Sequence, residues 1–582
     1  MSLDLALNNA LTGLRTVQQA LTTTSNNVSN ANTEGYTRKT AQQVALVLAG
    51  QGAGVDITDV TRQVNDALVK QLRNYSAMLG QLNVSDDYYT RTQQIFGTLT
   101  SNSSLTAGLS DFNTTLQALA TSPEDPTRQA AVVTSAVALA QRFNDSSTSI
   151  QQLRAQADQD ISAAVNSINL DLGKVADLNT QIAKNYANNL PVGDLLDQRD
   201  LALNDLSQQM DFSTFTRSNG EVVIVSGGGR VLLDGTAPTL THNAVAAADP
   251  SVTYPGAGID GINFNGVDIT TDIKSGKIAA LVQMRDTTLP NLQAQIDELA
   301  TQLSDQINTL HNDGTGFPAA NSLTGTRTVA GADPVAGTGN VRIAVVDGSG
   351  KLVAAPLDLD LTTVADVTDV VNAVNAALGA NGTAAIVGGK LTITATNPAN
   401  AITINEDTSA IGTEGFSKYF GLNDFFVNPS GASPSKGIQV RNDIAATPAL
   451  MSRGDLSMTA ALAGDTAITS GNNTIASQMA AIFDANISFG AAGGISATTT
   501  TLGDYSGQIL GLNATAAGNA KNTLDYQQGL YADVKNKADS VSGVNIDEEL
   551  ANLIKLQQNY GAVSRVITVT STLMDTLIGI VR

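Results

Sequence analysis

Few residues of this chain have types and spacing that could do chemistry. His242 and His311 could act as general bases or metal ligands, but they fall in different expected units, and His311 reads as a helix-end residue. The glycine cluster SGGGR at 226–230 could cradle a phosphate. It lacks the spacing and the Lys-Ser/Thr ending of a phosphate loop, and it lies between strands, so it reads as a hairpin turn. GAAGG at 490–494 is no closer to a phosphate loop. The carboxylates of DLDLTT (358–363) and DEE (547–549) suit solvated surface or a helix start better than metal binding or acid–base work. HExxH, GxSxG and calcium-loop patterns are absent. With no Cys, there can be no disulfide, thiolate metal site, iron–sulfur cluster or cysteine nucleophile. An active site needs convergent groups, and none can be named. The expectation is therefore no enzyme, no catalytic residues, no metal and no cofactor.

The elements that would position such residues point elsewhere. A chain of 582 residues makes roughly three to five compact units. Its 42% apolar content supports cores rather than disorder. Charged residues are only 15%, against about 25% in ordinary domains, and the net charge is −21. That sign repels nucleic-acid phosphate and anionic lipid, and no polybasic run offsets it. Nucleic acid is therefore not an expected partner. Trp is absent and aromatics are 4%, which is poor material for base-stacking or carbohydrate platforms. No apolar run approaches the length of a bilayer span, so no integral membrane insertion is expected. No cleavable signal peptide is expected either, since Asp4 precedes the first basic residue, Arg15.

The two ends carry the strongest periodic signal. Leu3, Leu7, Ala10, Leu14, Val17, Leu21, Thr24 and Val28 alternate steps of four and three, a heptad seam on a helix of about 39 Å. Leu553, Leu556, Tyr560, Val563, Ile567, Thr570, Met574, Leu577 and Val581 alternate three and four on a helix of about 54 Å from Ile546 to Val581. Asn545 is placed to cap that helix, with Glu548 three residues on as in a capping box. Asp547, Glu548 and Glu549 suit the positive end of its dipole. A second stripe, Leu550, Ile554, Val566, Leu573 and Ile580, widens the apolar surface beyond what one partner helix covers. The expectation is a coiled terminal stalk that orders on assembly, with the middle of the chain inserted between its two helices.

The stretch after the first helix, SNNVSNANTEGYTR (25–38), is dense in turn residues. It resembles the signature of bacterial flagellar rod, hook and hook-associated axial proteins, carried here by Asn27, Asn30, Asn32, Thr33, Gly35 and Tyr36. The start of the last helix, SGVNIDEE, with Gly543, Asn545 and Glu548, resembles the hook–filament junction branch of that family. SPEDPTRQAAVVTSAVALAQRFND (122–145), LLDQRDLALNDLSQQM (195–210), NGEVVIVSGGGRVLLDG and FSKYFGLNDFFV (416–427) are similar to the same branch. The chain departs from it where members commonly carry an aromatic near Leu556 and a larger polar residue near Gly561.

The middle divides by period. Residues 60–211, 272–312 and 450–540 read as a helical body, 212–271 as a small unit of β hairpins, and 313–449 as an outer α+β or mostly β domain. Asn265-Gly266 and Asp347-Gly348 mark expected hairpin turns, and VADVTDVVNAVNAAL a short helix. Residues 1–59 with 541–582 form the terminal assembly domain. The fold class expected is a multidomain, mainly α-helical rod or bundle with paired coiled-coil-like terminal helices and an inserted β-rich or α+β outer domain.

The resemblance implies a structural subunit of the flagellum joining hook to filament. It implies export, unfolded, through the flagellar type III apparatus, and a place outside the cell. It implies as partners other copies of the chain in a ring-like junction, the hook protein, hook-associated protein 3 with the flagellin filament beyond it, and a cytoplasmic export chaperone. The alternatives are another axial protein, such as the hook protein or hook-associated protein 3, or a secreted adhesin or surface-layer protein. The residues expected at the assembly interface are Leu3, Leu7, Leu14, Val17, Leu21, Val28, Leu553, Leu556, Tyr560, Val563, Ile567, Met574, Leu577 and Val581.

Overall fold

The computed structural model describes residues 3–48, 50–97, 104–256 and 258–581. The ends are the expected helices, Leu3–Ser29 and Ile546–Val581, and they pack along each other. Between the first helix and the body comes an element absent from the sequence reading. Lys39–Leu48 and Gln51–Arg62 form an antiparallel hairpin, in register from Lys39 opposite Arg62 to Leu48 opposite Gln51, with two bulges. It leans on the first helix, where the Thr16 hydroxyl donates to the Val55 carbonyl at 3.4 Å. A Cβ at Gly54, whose φ is +117°, would collide with the Thr12 hydroxyl, so glycine is what lets strand and helix approach there.

The body is built of long helices, four of them started by a side-chain cap. Asn65 caps Asp66–Phe96, Ser104 caps Leu105–Thr121, and Thr501 caps Leu502–Ser542. Asp125 caps the 62-residue helix Pro126–Ala187, with Pro126 in its first turn. Gly193–Gln209 resumes after Pro191. The long helix lays Phe143, Ile150, Ile161, Ile168, Leu172, Val175 and Ile182 into the core, all fully buried. Leu289–Asn312 adds Ile296, Leu299, Leu303 and Ile307 to the same cluster.

The small β unit contains the three-stranded antiparallel sheet Phe212–Thr216, Val222–Ser226 and Val231–Leu233, with the glycine cluster as a turn. Asn265 and Gly266 both have positive φ, 51° and 77°, between the short strands Asn263–Phe264 and Val267–Asp268. A buried ion network ties this unit to the long helix. Asp158 accepts from Arg285 at 2.6 Å, from His242 at 2.9 Å and from the Val245 backbone at 2.7 Å.

The outer domain has its own core. One sheet runs Leu357–Asp360, Asn340–Val346, Ala401–Asn405, and another Gly382–Val387, Lys390–Ala395, Ser322–Thr324. They enclose Val341, Ile343, Leu391 and Ile393 with the helix Val367–Leu378. Asp347 opens a tight turn closed at Gly350, and the chain pairs back at once, with Val346 opposite Leu352 and the Val353 N–H donating to the Val345 carbonyl at 2.9 Å, before Leu357–Asp360 pairs with the start of Asn340–Val346. Phe425, Phe426, Ile438, Val440 and Ile444 pack into the body core, an earlier return to the body than the reading at 450. Leu456, Ala460, Ala467 and Ile468 pack instead against Ala344, Val346 and Leu352 of the outer domain.

Candidate assembly site

The site is assembled from the two terminal helices and the joint that anchors them. On the first helix Ala10 and Val17 are buried, and Leu3, Leu7, Leu14, Leu21 and Val28 are half-buried. Facing them, Leu553, Leu556, Val563, Ile567 and Met574 are half-buried and Thr570 is buried. A Cβ on Gly13 would stand 4.0 Å from Val563, so the two helices pass closely at that level. Tyr560 (38% exposed) and Leu577 (53%) depart from the expected seam and point outward. They lie near the edge of the second stripe, because a 3.6-residue helix drifts off a strict seven-residue repeat. The side chain of Val581 lies outside the described residues. Leu550, Ile554, Val566, Leu573 and Ile580 are all exposed, Ile580 by 76%. The C-terminal helix therefore covers one face with its partner and leaves an interrupted second apolar stripe open. By length and composition alone this helical stretch could cross a bilayer. That apolarity is spread over interrupted stripes, which is why no single run stood out in the sequence.

Polar groups fix where the two helices meet. The Asn27 side chain is almost completely buried. Its Nδ2 donates to Glu549 Oε2 at 3.1 Å and to the Lys39 carbonyl at 2.9 Å. Its Oδ1 accepts from the Lys39 backbone N–H and the Tyr36 hydroxyl, each at 3.0 Å. Arg38 Nε donates to Glu549 Oε1 at 2.7 Å, and its Nη1 lies 3.2 Å from Glu548. Glu549 is 2% exposed and holds both partners. Asn545 caps the last helix by accepting from the Asp547 and Glu548 backbone N–H groups. The Glu548 carboxylate does not complete a reciprocal capping box; it turns to Arg38, whose charge draws it away.

A second cluster binds this joint to the body. Asp197 accepts from Thr37 Oγ1 at 2.6 Å, Lys39 Nζ at 2.8 Å and Arg62 Nη1 at 2.8 Å. Lys39 also reaches Asp194 at 2.8 Å, and its ammonium sits 3.5 Å above the Tyr36 ring. Burial pulls the Lys39 ammonium down, but hydrogen bonds to Asp194 and Asp197 outweigh it and leave its pKa above the ordinary value. Burial raises the Tyr36 phenol against the attraction of Lys39.

The remaining signature residues shape the backbone. Asn30 Oδ1 accepts from the Thr33 hydroxyl at 3.2 Å, and Gly35 takes a φ of +75°. Asn32 is exposed, with no side-chain hydrogen bond among the described residues. Gly543 ends the preceding helix; a Cβ there would press on the Asp539 carbonyl oxygen. Sequence reasoning missed Arg38, Lys39, Arg62, Asp194, Asp197 and Glu549. Arg38 ended the quoted signature and Glu549 the acidic triplet, but nothing local marks them as partners.

The histidines do not converge. His242 belongs to the Asp158 network. His311, fully buried, donates from Nδ1 to the Asn423 carbonyl and accepts at Nε2 from the Ser452 backbone N–H at 2.8 Å, and burial pushes its pKa down to about 3. It is a neutral structural group. Among the described residues no group of three or more His, Asp or Glu is arranged to hold a metal.

Three family models match. Residues 7–37 match the flagella basal body rod protein, 535–580 the C-terminal part of the flagellar basal body rod FlgEFG proteins, and 89–326 the helical domain of flagellar hook-associated protein FlgK. The first two coincide with the clamped terminal helices, and the third begins in the body's first long helix. The chain belongs to the flagellar rod and hook family of axial proteins. Within that family it is homologous to flagellar hook-associated protein 1. It is 26% identical to that protein of Escherichia coli (strain K12) over 596 aligned residues and 27% identical to that of Salmonella typhimurium over 603, with 99% of each chain covered. A solved structure, the flagellar hook junction protein FlgK from Burkholderia pseudomallei, aligns at 17% identity and a TM-score of 0.49 over 81% of this chain and 100% of that one.

Proposed function

We propose that this chain is a structural, non-enzymatic axial subunit that links hook to filament outside the cell and assembles through its terminal helices. The observation that carries this reading is the terminal pair. One face of the C-terminal helix is clamped to the N-terminal helix through Asn27, Arg38 and Glu549, while an interrupted apolar stripe, Leu550, Ile554, Val566, Leu573 and Ile580, stays exposed. A lone soluble subunit has no use for such a stripe, and neighbouring subunits would bury it. Its partners are other copies of the chain in a ring-like junction, the hook protein on one side, and hook-associated protein 3 with the filament on the other. Before export through the flagellar type III apparatus, a cytoplasmic chaperone covers the same stripe. Deleting the gene in the source bacterium tests the reading. Bare hooks with unpolymerised flagellin in the medium support it, and normal filaments in a strain without a second copy reject it.

A further inference from the structure

A cleft of about 620 Å³ opens between the outer domain and the body, far in sequence from the terminal helices. Ser322, Thr324 and Lys390 come from the outer sheet, Arg327 from the loop after Ser322–Thr324, and Gln439, Arg441 and Asn442 from the body side. Its volume lies within the range of small-molecule sites.

The charges in it are unequally committed. Asp443 is tied to Arg441 Nε at 2.7 Å. Asp424 accepts from Thr326 at 2.7 Å and from Asn312 at 2.8 Å. The Lys390 ammonium has no hydrogen bond or ion pair among the described residues. The Arg327 guanidinium is held 3.9 Å over the Tyr419 ring, with the nearest carboxylate oxygen, of Glu414, also 3.9 Å away, beyond hydrogen-bond distance. The side-chain amides of Gln439 and Asn442 likewise have no partner among the described residues. Along the outer sheet face the hydroxyls of Ser322 and Thr394, and of Thr324 and Thr392, pair at 2.6 and 3.3 Å and lead toward Lys390.

We propose that this cleft binds an acidic sugar unit, a singly charged carboxylate on a hydroxylated ring. A planar guanidinium fork and a nearby ammonium suit one carboxylate. The uncommitted amides and the hydroxyl ladder suit ring hydroxyls. The count of cations over carboxylates favours a monoanion, and the net charge of −21 disfavours a polyanion at long range. The ligand is held at its polar edges, since Phe426, the ring in the cleft wall, is buried.

Titration calorimetry on the full chain tests this with D-glucuronate and N-acetylneuraminate as probes, against acetate and methyl glucoside. One of the acidic sugars should bind at least about tenfold more tightly than either control. Arg327→Gln and Lys390→Gln should each weaken it by about tenfold, and Arg217→Gln, on the small β unit, should leave it unchanged. All three positions are exposed or half-exposed, and matching thermal midpoints would confirm intact folding. Equal affinity for acetate, indifference to both cleft substitutions, or no saturable heat from either sugar up to about 10 mM would overturn the proposal.

Discussion

Asn27 and Glu549 stand 522 positions apart and share a buried hydrogen bond of 3.1 Å. That bond closes the chain on itself: everything between is an insertion carried by the joint, and the direction of the C-terminal helix is set there. Glu549→Ala would strip Arg38 and Asn27 of a charged acceptor, at a cost of about 2 kcal/mol. Hydrogen exchange should report it as roughly thirtyfold faster opening of the first turns of the C-terminal helix and of the helix end near Asn27, with the Ile150–Ile182 core unchanged. Unchanged exchange at the joint would remove Glu549 from that role.

Asp197 should matter as much to the joint's seat on the body. It answers two cations, Lys39 and Arg62, and is almost wholly buried. Asp197→Asn leaves Arg62 with Asp200 and Lys39 with the exposed Asp194, so the loss should be about 3 kcal/mol, the lower end for a broken buried pair. Calorimetry should show the transition containing the hairpin Lys39–Arg62 moving to lower temperature and the outer domain's transition unmoved.

The terminal helices were legible because heptad spacing survives any tertiary context, and the outward stripe announced itself as more apolar surface than one partner covers. The hairpin Lys39–Arg62 was not legible. Its strands bury almost nothing on either face, so the sequence lacks the alternation that marks a half-buried strand. The clamp was hidden for another reason. Glu549 in an acidic first turn looks like dipole complementation, and only the fold brings Arg38 to it across 511 positions. The Lys39–Asp197 pair was hidden in the same way, by separation along the chain. In the outer domain the turn at Asp347 was visible as turn chemistry, and the chain pairs back there as expected, while the second pairing at Leu357 depends on packing that no local residue encodes.

The joint between body and outer domain should respond to pH. Glu406 accepts from the Ser409 hydroxyl at 2.6 Å and the Ser417 backbone N–H at 2.7 Å, while its own N–H donates to Asp313 at 3.2 Å. Burial holds its carboxyl up at about 7 against those hydrogen bonds, and the nearby Asp313, itself raised by burial, adds to the rise. A carboxyl raised on folding favours the folded state while protonated. Its contribution is fully present below the unfolded value near 4.5 and is lost as pH climbs through about 7, a change on the order of 3 kcal/mol. Calorimetry from about pH 4.5 to 8 should show the outer-domain transition falling over that window, and Glu406→Gln should flatten the slope.

Ile567 faces the N-terminal helix and is half-buried there. Ile567→Asp places a charge in that contact and should unseat the terminal pair while the body and outer domain stay folded. Circular dichroism should lose helix content in the terminal pair alone, and incorporation into flagella should fall. Normal assembly by this variant would take Ile567 out of the interface.

The outward face offers the most direct test of the account. Leu573 and Leu577 are both about half exposed and make no demand on the isolated fold, so Leu573→Asp/Leu577→Asp should leave the monomer's stability unchanged. Expressed in a strain lacking the native gene, wild-type protein should restore filaments. The double variant should be exported into the medium and leave bare hooks, as an assembly surface within that stripe requires. Full filaments grown on the double variant would contradict the claim that subunits join through this face.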